Sequence, residues 1–400
     1  MSEHHVVIAG GGVAGLEALI ALRKLAGDRV RLTLLAPTDE FLLRALSVQE
    51  PFAGPGSRRY SLETICADHD STFRRDALAS VDSSAGHATT ASGETVEYDS
   101  LLVAVGAQAE PVFPQALTFR GLQDAERMHG LIQDVEAGLI TRIAFVVPTG
   151  TTWPLPLYEL ALMTAERAYA MSVDVGLTIV TPESQPLAIF GRVASQRVDE
   201  ILAERGIVIR TDSHVSSVQQ GVVVAKPEHV EVRAQRVVAL PRLRGPRVDG
   251  LPSDADGFLP VDELGHVRDA DGVFAAGDGT NVPIKQGGIA AQQALAAATA
   301  IAIRVGADVR PRPFRPILRA ELLTGSRSTY LREHVAGGGG IDASTASDQA
   351  LWWPPSKVAA PHLAPYLERA AAGLRGPAAA LEPHAIHAQG DPAGGIEVIE

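Results

Sequence analysis

The sequence predicts an α/β protein built from two three-layer units, the second inserted in the first, with a small domain at the C-terminus. Three observations support this prediction. A strand, a glycine turn and a helix open the chain, and the order strand, helix, strand returns over residues 142–183. A short strand and a long alanine-rich helix over residues 272–303 then complete the first unit. Such alternation is typical of parallel sheets of the Rossmann type.

The first unit begins with a buried strand, residues 6–9, which enters a turn with the spacing G-x-G-x-x-G. In such a turn Gly10 allows the tight bend, Gly12 lets the backbone approach a pyrophosphate, and Gly15 lets the helix pack on the strand. The helix is expected from residue 16 to about residue 25. Its free N–H groups and positive end would face the phosphates.

The second strand, residues 30–35, departs from the usual fingerprint. An acidic residue commonly ends this strand and bonds the ribose hydroxyls. Here the strand runs into Ala36, and Asp39 and Glu40 come late. Ribose recognition is therefore expected from the backbone or from a displaced acid. Residues 41–55 are expected to form a loop over the cofactor.

Two later segments complete the first unit. Residues 96–106 predict a buried strand that ends at Gly106. Residues 272–279 predict a short strand that ends in Gly277-Asp278, and a long helix is expected over residues 289–303. Parallel strands end at one edge of their sheet, so these glycines are expected beside the first glycine turn.

The second unit has a strand from residue 142, a helix that carries Glu159, and a strand that leads to Glu183. Its turn differs from the first. Between Pro148 and Glu159 stand three prolines, Trp153 and a single glycine, Gly150. Each proline removes a backbone donor, and the indole fills space that a glycine would leave open. NAD(P)H is therefore not expected to bind there in the usual pose, although nearby threonine hydroxyls are alternative donors.

Composition excludes several classes of protein. The net charge of −12 and a pI near 5.5 argue against nucleic acid as a partner. No run of eighteen apolar residues predicts a membrane span, and no signal peptide is recognised, so a cytoplasmic protein is expected. The single cysteine, Cys66, cannot form an intrachain disulfide, and we expect it to be a buried helical residue. The histidine spacing predicts no metal site.

The segments 10–15, 98–106 and 272–288 together resemble those of the two-dinucleotide-binding-domain flavoproteins, the FAD-dependent pyridine nucleotide-disulfide oxidoreductase superfamily. Within it, residues 4–370 most resemble the sulfide:quinone oxidoreductase and type II NADH dehydrogenase branch. The local evidence lies in residues 148–159, 180–183 and 351–357. The resemblance implies non-covalently bound FAD, with Asp278 on its ribityl chain, Gly277 near its pyrophosphate, and the helix from Gly287 pointing at the pyrimidine side of the flavin.

The implied domains and site follow from this resemblance. The domains are an FAD-binding domain (1–112 and 256–313), a second Rossmann-like domain (113–255), a flavin-covering domain (314–375) and a mobile tail (376–400). The residues expected to hold FAD are Gly10, Gly12, Val13, Ala14, Gly15, Ala36, Arg44, Ala104, Gly106, Gly277, Asp278, Lys285, Gln286 and Gly287.

Further side chains are candidates for the chemistry. Lys285 could stabilise a flavin anion, or it could be a solvated surface lysine. Glu159 could pass protons to the flavin, or it could offset the dipole of its helix. Trp153, Trp352 and Trp353 could line a pocket for a flat acceptor, or they could be core residues.

Three functions remain open. The first is an FAD-dependent oxidoreductase that moves two electrons between a small donor and a quinone-like acceptor. The second is an NAD(P)H-dependent flavin reductase with an unusual second site, and the third is a flavin-binding regulatory or assembly protein without turnover. The sulfide enzymes use redox cysteines beside the flavin, and one cysteine cannot replace them. Pro361 and Pro365 interrupt the segment that would attach to a membrane, so peripheral association is unsupported; the oligomeric state is left open.

Overall fold

The computed structural model describes residues 3–52, 58–335, 344–374 and, for the backbone, 397–398. The helices in these ranges are α1 (Val13–Ala26), α2 (Leu62–Asp68), α3 (Leu122–Glu136), α4 (Leu155–Ala170), α5 (Gly191–Glu204), α6 (Gly287–Arg304) and α7 (Leu363–Ala371). Shorter 3-10 helical segments are Gly27–Arg29, Arg44–Phe52 and Ala188–Phe190.

The strands of the same ranges are short, as expected for a chain with many turns. They are β1 (His4–Ala9), β2 (Val30–Ala36), β3 (Glu40–Leu42), β4 (Arg59–Ser61), β5 (Thr72–Arg75), β6 (Leu78–Asp82), β7 (His87–Thr90), β8 (Thr95–Glu97), β9 (Ser100–Val103), β10 (Gln108–Glu110), β11 (Leu117–Thr118), β12 (Arg142–Val146), β13 (Gly176–Val180), β14 (Val208–Arg210), β15 (His214–Gln219), β16 (Val222–Lys226), β17 (Val230–Arg233), β18 (Arg236–Ala239), β19 (Arg242–Arg244), β20 (Val273–Ala275), β21 (Ile317–Leu323), β22 (Ser328–His334), β23 (Thr345–Ser347), β24 (Trp352–Trp353) and β25 (Glu397–Val398).

The first parallel sheet has the order β20-β9-β1-β2-β5. Its central strands are buried apolar runs, as a parallel sheet covered on both faces requires. Helices α1 and α6 pack on it and on each other. Small side chains such as Ala18, Ala294 and Ala298 are buried in this contact, and they let the two helices approach closely.

The second parallel sheet has the order β11-β18-β12-β13-β14 and lies in the chain between β9 and β20. Since β9 and β20 are neighbours in the first sheet, the second sheet is inserted in the first unit. The predicted fold class is thereby confirmed. Strands β10 and β19 pair where the chain enters and leaves the insertion. The boundaries 112/113 and 255/256 stay predictions.

The C-terminal segment packs on both units. Strands β21, β22 and β23 form an antiparallel sheet, and Leu318 and Leu331 belong to the core around α4. In contrast, the apolar face of α7, including Leu363 and Leu367, belongs to the core around α1 and α6. The apolar face of this amphipathic helix is therefore buried within the protein. The predicted tail, residues 376–400, lies outside the described residues except for β25, which pairs with β24.

Two predicted elements differ from the structure. Residues 41–52 are not a plain loop: β3 pairs with β4, and the 3-10 segment Arg44–Phe52 packs against α3 and α4. The rest of the predicted loop, residues 53–55, lies outside the described residues. The strand predicted over 96–106 is divided, because the chain turns after β8 and only β9 enters the parallel sheet.

Among the helices of the described ranges, none combines the length and the apolar character that a membrane span needs.

Candidate functional site

The glycine turn after β1 depends on two very close backbone approaches. Gly10 has a φ of +123°, and a Cβ atom on it would lie 2.1 Å from the carbonyl oxygen of Ala104. A Cβ atom on Gly15 would lie 1.8 Å from the carbonyl oxygen of Gly10. No side chain fits either position, so both glycines are required for α1 to pack beside β1 and β9.

Gly12 has a different environment. Its φ of −88° suits any residue, and a Cβ atom on it would have no neighbour within 4 Å. Gly12 is the N-cap of α1, and none of the described side chains caps that helix end. The first N–H groups of α1, at Val13, Ala14 and Gly15, are thus not capped by a described side chain, and they follow directly on the open position at Gly12. This arrangement fits a phosphate group.

The remaining backbone positions of the predicted site meet at the same sheet edge. Ala9, Val103 and Ala275 are aligned across the neighbouring strands β1, β9 and β20. The residues that follow these strands, and Ala36 at the end of β2, are thus brought together. They include Ala104, Gly106 with a φ of +76° and Gly277 with a φ of +88°. Ligands bind at this edge in open α/β sheets.

Asp278 and Lys285 lie beside each other near this edge, with Arg44 close enough to act on Asp278. Burial raises the pKa of Asp278, and the positive charges of Lys285 and Arg44 oppose that rise. Lys285 is buried, not solvated: its Nζ donates to the carbonyl oxygen of Thr280 and lies 3.8 Å from the ring centroid of Phe258. Burial lowers the pKa of Lys285 to about 8.

The side chain of Gln286 is used within the protein. It caps α6 by accepting a hydrogen bond from the N–H of Ile289 (2.8 Å), and it donates to the carbonyl oxygen of Arg319 (3.1 Å). Its side chain is therefore engaged with protein groups on both of its polar atoms. Beside it, a Cβ atom on Gly287 would lie 3.0 Å from the Val358 side chain, so the C-terminal segment closes on the start of α6.

A buried ion pair joins α4 to this C-terminal segment. Glu159 and Lys357 form a salt bridge, and their side chains are 1% and 5% exposed. Glu159 also accepts a hydrogen bond from the N–H of Leu323 (3.0 Å), and Lys357 donates to the carbonyl oxygen of Glu321. Burial raises the pKa of Glu159, and the charge of Lys357 opposes that rise.

The outer edge of β21 connects this ion pair to α6. At alternate residues its backbone groups bond to a side chain: Gln292 at Ile317, Gln286 at Arg319, Lys357 at Glu321 and Glu159 at Leu323. Alternate residues of a strand are about 6.6–6.8 Å apart. Lys357 bonds to β21 at Glu321, two residues after Arg319, where the α6 cap Gln286 bonds. The ion pair is therefore attached to β21 about 6.6–6.8 Å along the strand from the cap of α6. Sequence reasoning predicted Glu159 but missed Lys357, whose only signal was the scarcity of lysine.

The second unit uses its acidic residue internally. The Glu183 carboxylate accepts hydrogen bonds from the hydroxyls of Tyr158 (2.8 Å) and Thr181 (2.8 Å) and from the N–H of Ala188 (3.2 Å). In the turn before α4, Trp153 packs edge-on against Phe190 with 5.7 Å between the ring centroids. The position that would recognise a ribose is thus already occupied by protein groups.

The three tryptophans do not share one environment. Trp352 has no exposed surface, packs edge-on against Tyr330 at 5.3 Å and donates to the carbonyl oxygen of Ser356. A side chain with no exposed surface cannot line an open pocket, so Trp352 is a core residue, the second of the two alternatives. Trp353 points away from it and is 50% exposed. The predicted burial of Cys66 is seen within α2, and burial raises the pKa of its thiol.

Residues 4–298, which include the glycine turn, the inserted unit and most of α6, match the model of the pyridine nucleotide-disulphide oxidoreductase family. The chain belongs to this family. The match ends within α6, so β21, Lys357 and α7 lie beyond it.

Several relatives of known identity resemble the chain. The sulfide-quinone reductase of Aquifex aeolicus (strain VF5) is 25% identical over 301 residues, which cover 70% of this chain and 69% of that protein. The structure of the Aquifex aeolicus sulfide:quinone oxidoreductase has a TM-score of 0.75 at 21% identity and covers 83% of this chain and 84% of its own. A ferredoxin reductase from Rhodopseudomonas palustris has a TM-score of 0.65 at 19% identity, with 84% of both chains covered.

The structure of NDH2 from Plasmodium falciparum in complex with NADH is more distant, with a TM-score of 0.55 at 15% identity over 70% of this chain and 65% of its own. The predicted family is confirmed, and the similarity to a sulfide-quinone reductase agrees with the predicted branch. As a member of the pyridine nucleotide-disulphide oxidoreductase family, the protein is an oxidoreductase of a flavin-dependent class.

Proposed function

We propose that the protein is an FAD-dependent oxidoreductase that moves two electrons from a small donor to a quinone-like acceptor. The observation that carries the proposal is the buried Glu159–Lys357 pair, held on the edge of β21 beside the start of α6. Acid–base groups in a dry position next to a redox cofactor suit the proton transfers that accompany quinone reduction. The similarity to a sulfide-quinone reductase supports the choice of acceptor.

FAD would be held by the residues that fit it. The open space at Gly12 and the uncapped start of α1 would take the pyrophosphate, Asp278 would bond the ribityl hydroxyls, and the start of α6 would face the pyrimidine ring. The bound flavin would accept and pass on the electron pair. Lys285, fixed on the turn that carries Asp278, would hold that carboxylate in position and add positive charge nearby.

Glu159 and Lys357 would manage protons. The Lys357 ammonium can donate to an acceptor oxygen as charge develops on it, and the adjacent carboxylate keeps the ammonium charged in an apolar setting. Trp353, which is half-exposed, remains a candidate for contact with a flat acceptor.

NAD(P)H is not favoured as the donor, since Glu183 is engaged and Trp153 fills the turn. Sulfide oxidation through a cysteine pair is also not favoured, because the chain has one cysteine. A small molecule other than a pyridine nucleotide is the proposed donor.

The experiment begins with the absorbance spectrum of the purified protein. A yellow protein that releases FAD on heating is expected, and a colourless, folded sample that gains no absorbance with added FAD would contradict the proposal. Protein reduced anaerobically with dithionite is then mixed with a short-chain benzoquinone in a stopped-flow instrument. Rapid flavin reoxidation is expected, and its absence would favour the regulatory protein.

A parallel titration tests the donor. Oxidised protein is mixed with millimolar NADH or NADPH, and slow flavin reduction is expected. Reduction within milliseconds to seconds would replace the proposal with an NAD(P)H-dependent reductase. If reduction is slow, Trp153→Gly should speed it by opening the turn before α4.

A further inference from the structure

We propose that Glu321 supplies protons to the buried Glu159–Lys357 pair; this rests on the proposed function. The pair needs such a supplier because both of its side chains are almost fully buried and cannot exchange protons directly with water. Every quinone that is reduced to a quinol takes up two protons together with two electrons. A half-buried acid next to the pair would connect it to the solvent.

Glu321 occupies the required position. Its carbonyl oxygen accepts a hydrogen bond from Lys357 Nζ, so the ammonium is held at the backbone of the residue that would recharge it. Its carboxylate accepts a hydrogen bond from the Ser328 hydroxyl (2.7 Å) and stands opposite Tyr330 in the pairing of β21 with β22. Side chains directly opposite in antiparallel strands lie on the same face of the sheet.

The groups around Glu321 are electrically coupled. Those that face it are Tyr330 and Ser328 on β22, Glu159 on α4 and Lys357 before α7. The negative charge of Glu321 helps to raise the pKa of Glu159, and it also helps burial to raise the pKa of Tyr330. The charge of Glu321 therefore acts on the buried pair.

The proton transfers balance. For each quinone, the electron pair and one proton would come from the reduced flavin, and the Lys357 ammonium or the Glu159 carboxyl would supply the second proton, so that two O–H bonds form on the acceptor. The Glu321 carboxyl then gives its proton to the depleted pair. Glu321 recovers its proton from water.

The test compares Glu321→Gln with wild type in the stopped-flow reoxidation of dithionite-reduced holoprotein by a short-chain benzoquinone, across neutral to alkaline pH. Because the amide cannot carry a proton, reoxidation should slow about tenfold at alkaline pH. The slowing should come with a larger solvent deuterium isotope effect and partial rescue by added acetate. Glu321→Asp, which keeps a titrating carboxyl, should retain the wild-type pH profile.

Tyr330→Phe is a second variant that removes only a hydroxyl, and it should shift the pH profile without a tenfold loss. Glu63→Gln, an exposed acid on α2, is the matched control and should change nothing. Equal rates and pH profiles for Glu321→Gln and wild type would overturn this inference alone. A wild-type protein that no quinone reoxidises would instead overturn the proposed function, and the inference with it.

Discussion

Helices α1 and α4 hold equivalent places in the two units, and the fifth residue of each is a buried glutamate, Glu17 and Glu159. Both glutamates hold the C-terminal segment. Glu17 accepts hydrogen bonds from the N–H groups of His362 (3.1 and 3.2 Å) and Leu363 (2.8 Å), and Glu159 pairs with Lys357. Residues 357–363 are therefore fixed at one end by each unit.

The two helices differ in what surrounds these carboxylates. Within the described residues, Glu17 accepts hydrogen bonds from backbone N–H groups at the start of α7, whereas Glu159 has an ammonium partner. The turns before the two helices differ as well. A Cβ atom on Gly12, before α1, would meet no described atom within 4 Å apart from its chain neighbours, whereas Trp153, before α4, packs against Phe190. The comparison teaches that one strand–turn–helix topology can provide an anion site or a closed packing unit, depending on a few side chains in its turn.

The largest expected effect is on the open turn. Gly12→Val should abolish flavin binding, because its side chain would occupy the space in front of α1. The apoprotein should lose only about 0.5 kcal/mol of unfolding free energy, since a Cβ atom on Gly12 meets no described atom within 4 Å apart from its chain neighbours. Absorbance after purification measures flavin binding, and urea unfolding of the apoprotein measures its stability.

Gly130→Ala in α3 is the control for the Gly12→Val variant. A yellow Gly12→Val protein would refute the placement of the pyrophosphate.

The next largest effect tests Glu159, the glutamate that is paired with a lysine. Lys357→Met leaves Glu159 buried without its partner, which should lower the free energy of unfolding by about 3–5 kcal/mol near neutral pH. The folded-state pKa of Glu159 is raised, so the folded state binds its proton more tightly than the unfolded chain, whose value is near 4.5. The loss should therefore grow as pH rises above 4.5. Urea unfolding of wild type and Lys357→Met at several pH values measures this loss. The double variant Glu159→Gln/Lys357→Met should recover most of the stability, because no buried carboxylate is left without a partner. An equal loss at all pH values would contradict the raised pKa of Glu159.

A smaller effect tests Glu17, whose carboxylate is bonded to backbone N–H groups. Burial raises the pKa of Glu17 from 4.5 to about 7, so the folded state retains a proton that the unfolded chain releases. This group should lower the free energy of unfolding by about 3 kcal/mol as pH rises through that window. His362, whose pKa burial lowers to about 4, has the opposite effect, because it costs stability as pH falls below 6.5. The difference between the wild-type and Glu17→Gln profiles isolates Glu17, and parallel profiles would show that its pKa is ordinary.

The smallest effect concerns Cys66. Because its thiol is buried in α2 among apolar neighbours, Cys66→Ser should leave the rate of flavin reoxidation unchanged. The buried hydroxyl should cost about 1–3 kcal/mol of stability. Stopped-flow rates and a thermal unfolding curve test both statements. A large loss of rate would mean that the thiol reaches the flavin.

The sequence predicted the parts of the fold that depend on neighbours in the chain. The glycine turn, α1 and the return of the pattern at β20 follow from local periodicity and spacing, and the positions that meet at the sheet edge follow from parallel strands. The FAD contacts of these residues and the domain boundaries stay predictions. Gln286 was among the residues expected to hold FAD, and that contact stays a prediction; its side chain caps α6 and bonds to Arg319, thirty-three residues away, which local sequence patterns do not indicate.

Long-range polar pairs were beyond such reasoning. Glu159 and Lys357 are 198 residues apart, and Glu17 and Leu363 are 346 apart. Periodicity indicates which face of a helix is buried, but it does not indicate which distant group meets a carboxylate there. The sequence around the two tryptophans likewise does not indicate their different environments. Trp352 is buried against Tyr330, whereas Trp353 is half-exposed.

The insertion of one sheet in the other has a consequence for the order of folding. Strand β20 pairs with β9, yet about 170 residues separate them in the chain, so the first sheet is completed only after the whole second unit has been synthesised. The second sheet, from β11 to β18, is contiguous and can form earlier on the ribosome. Until β20 arrives, β9 exposes an apolar edge to other nascent chains. Rapid folding of the insertion would shorten the exposure, because it brings β10 and β19 together and delivers β20 to its place.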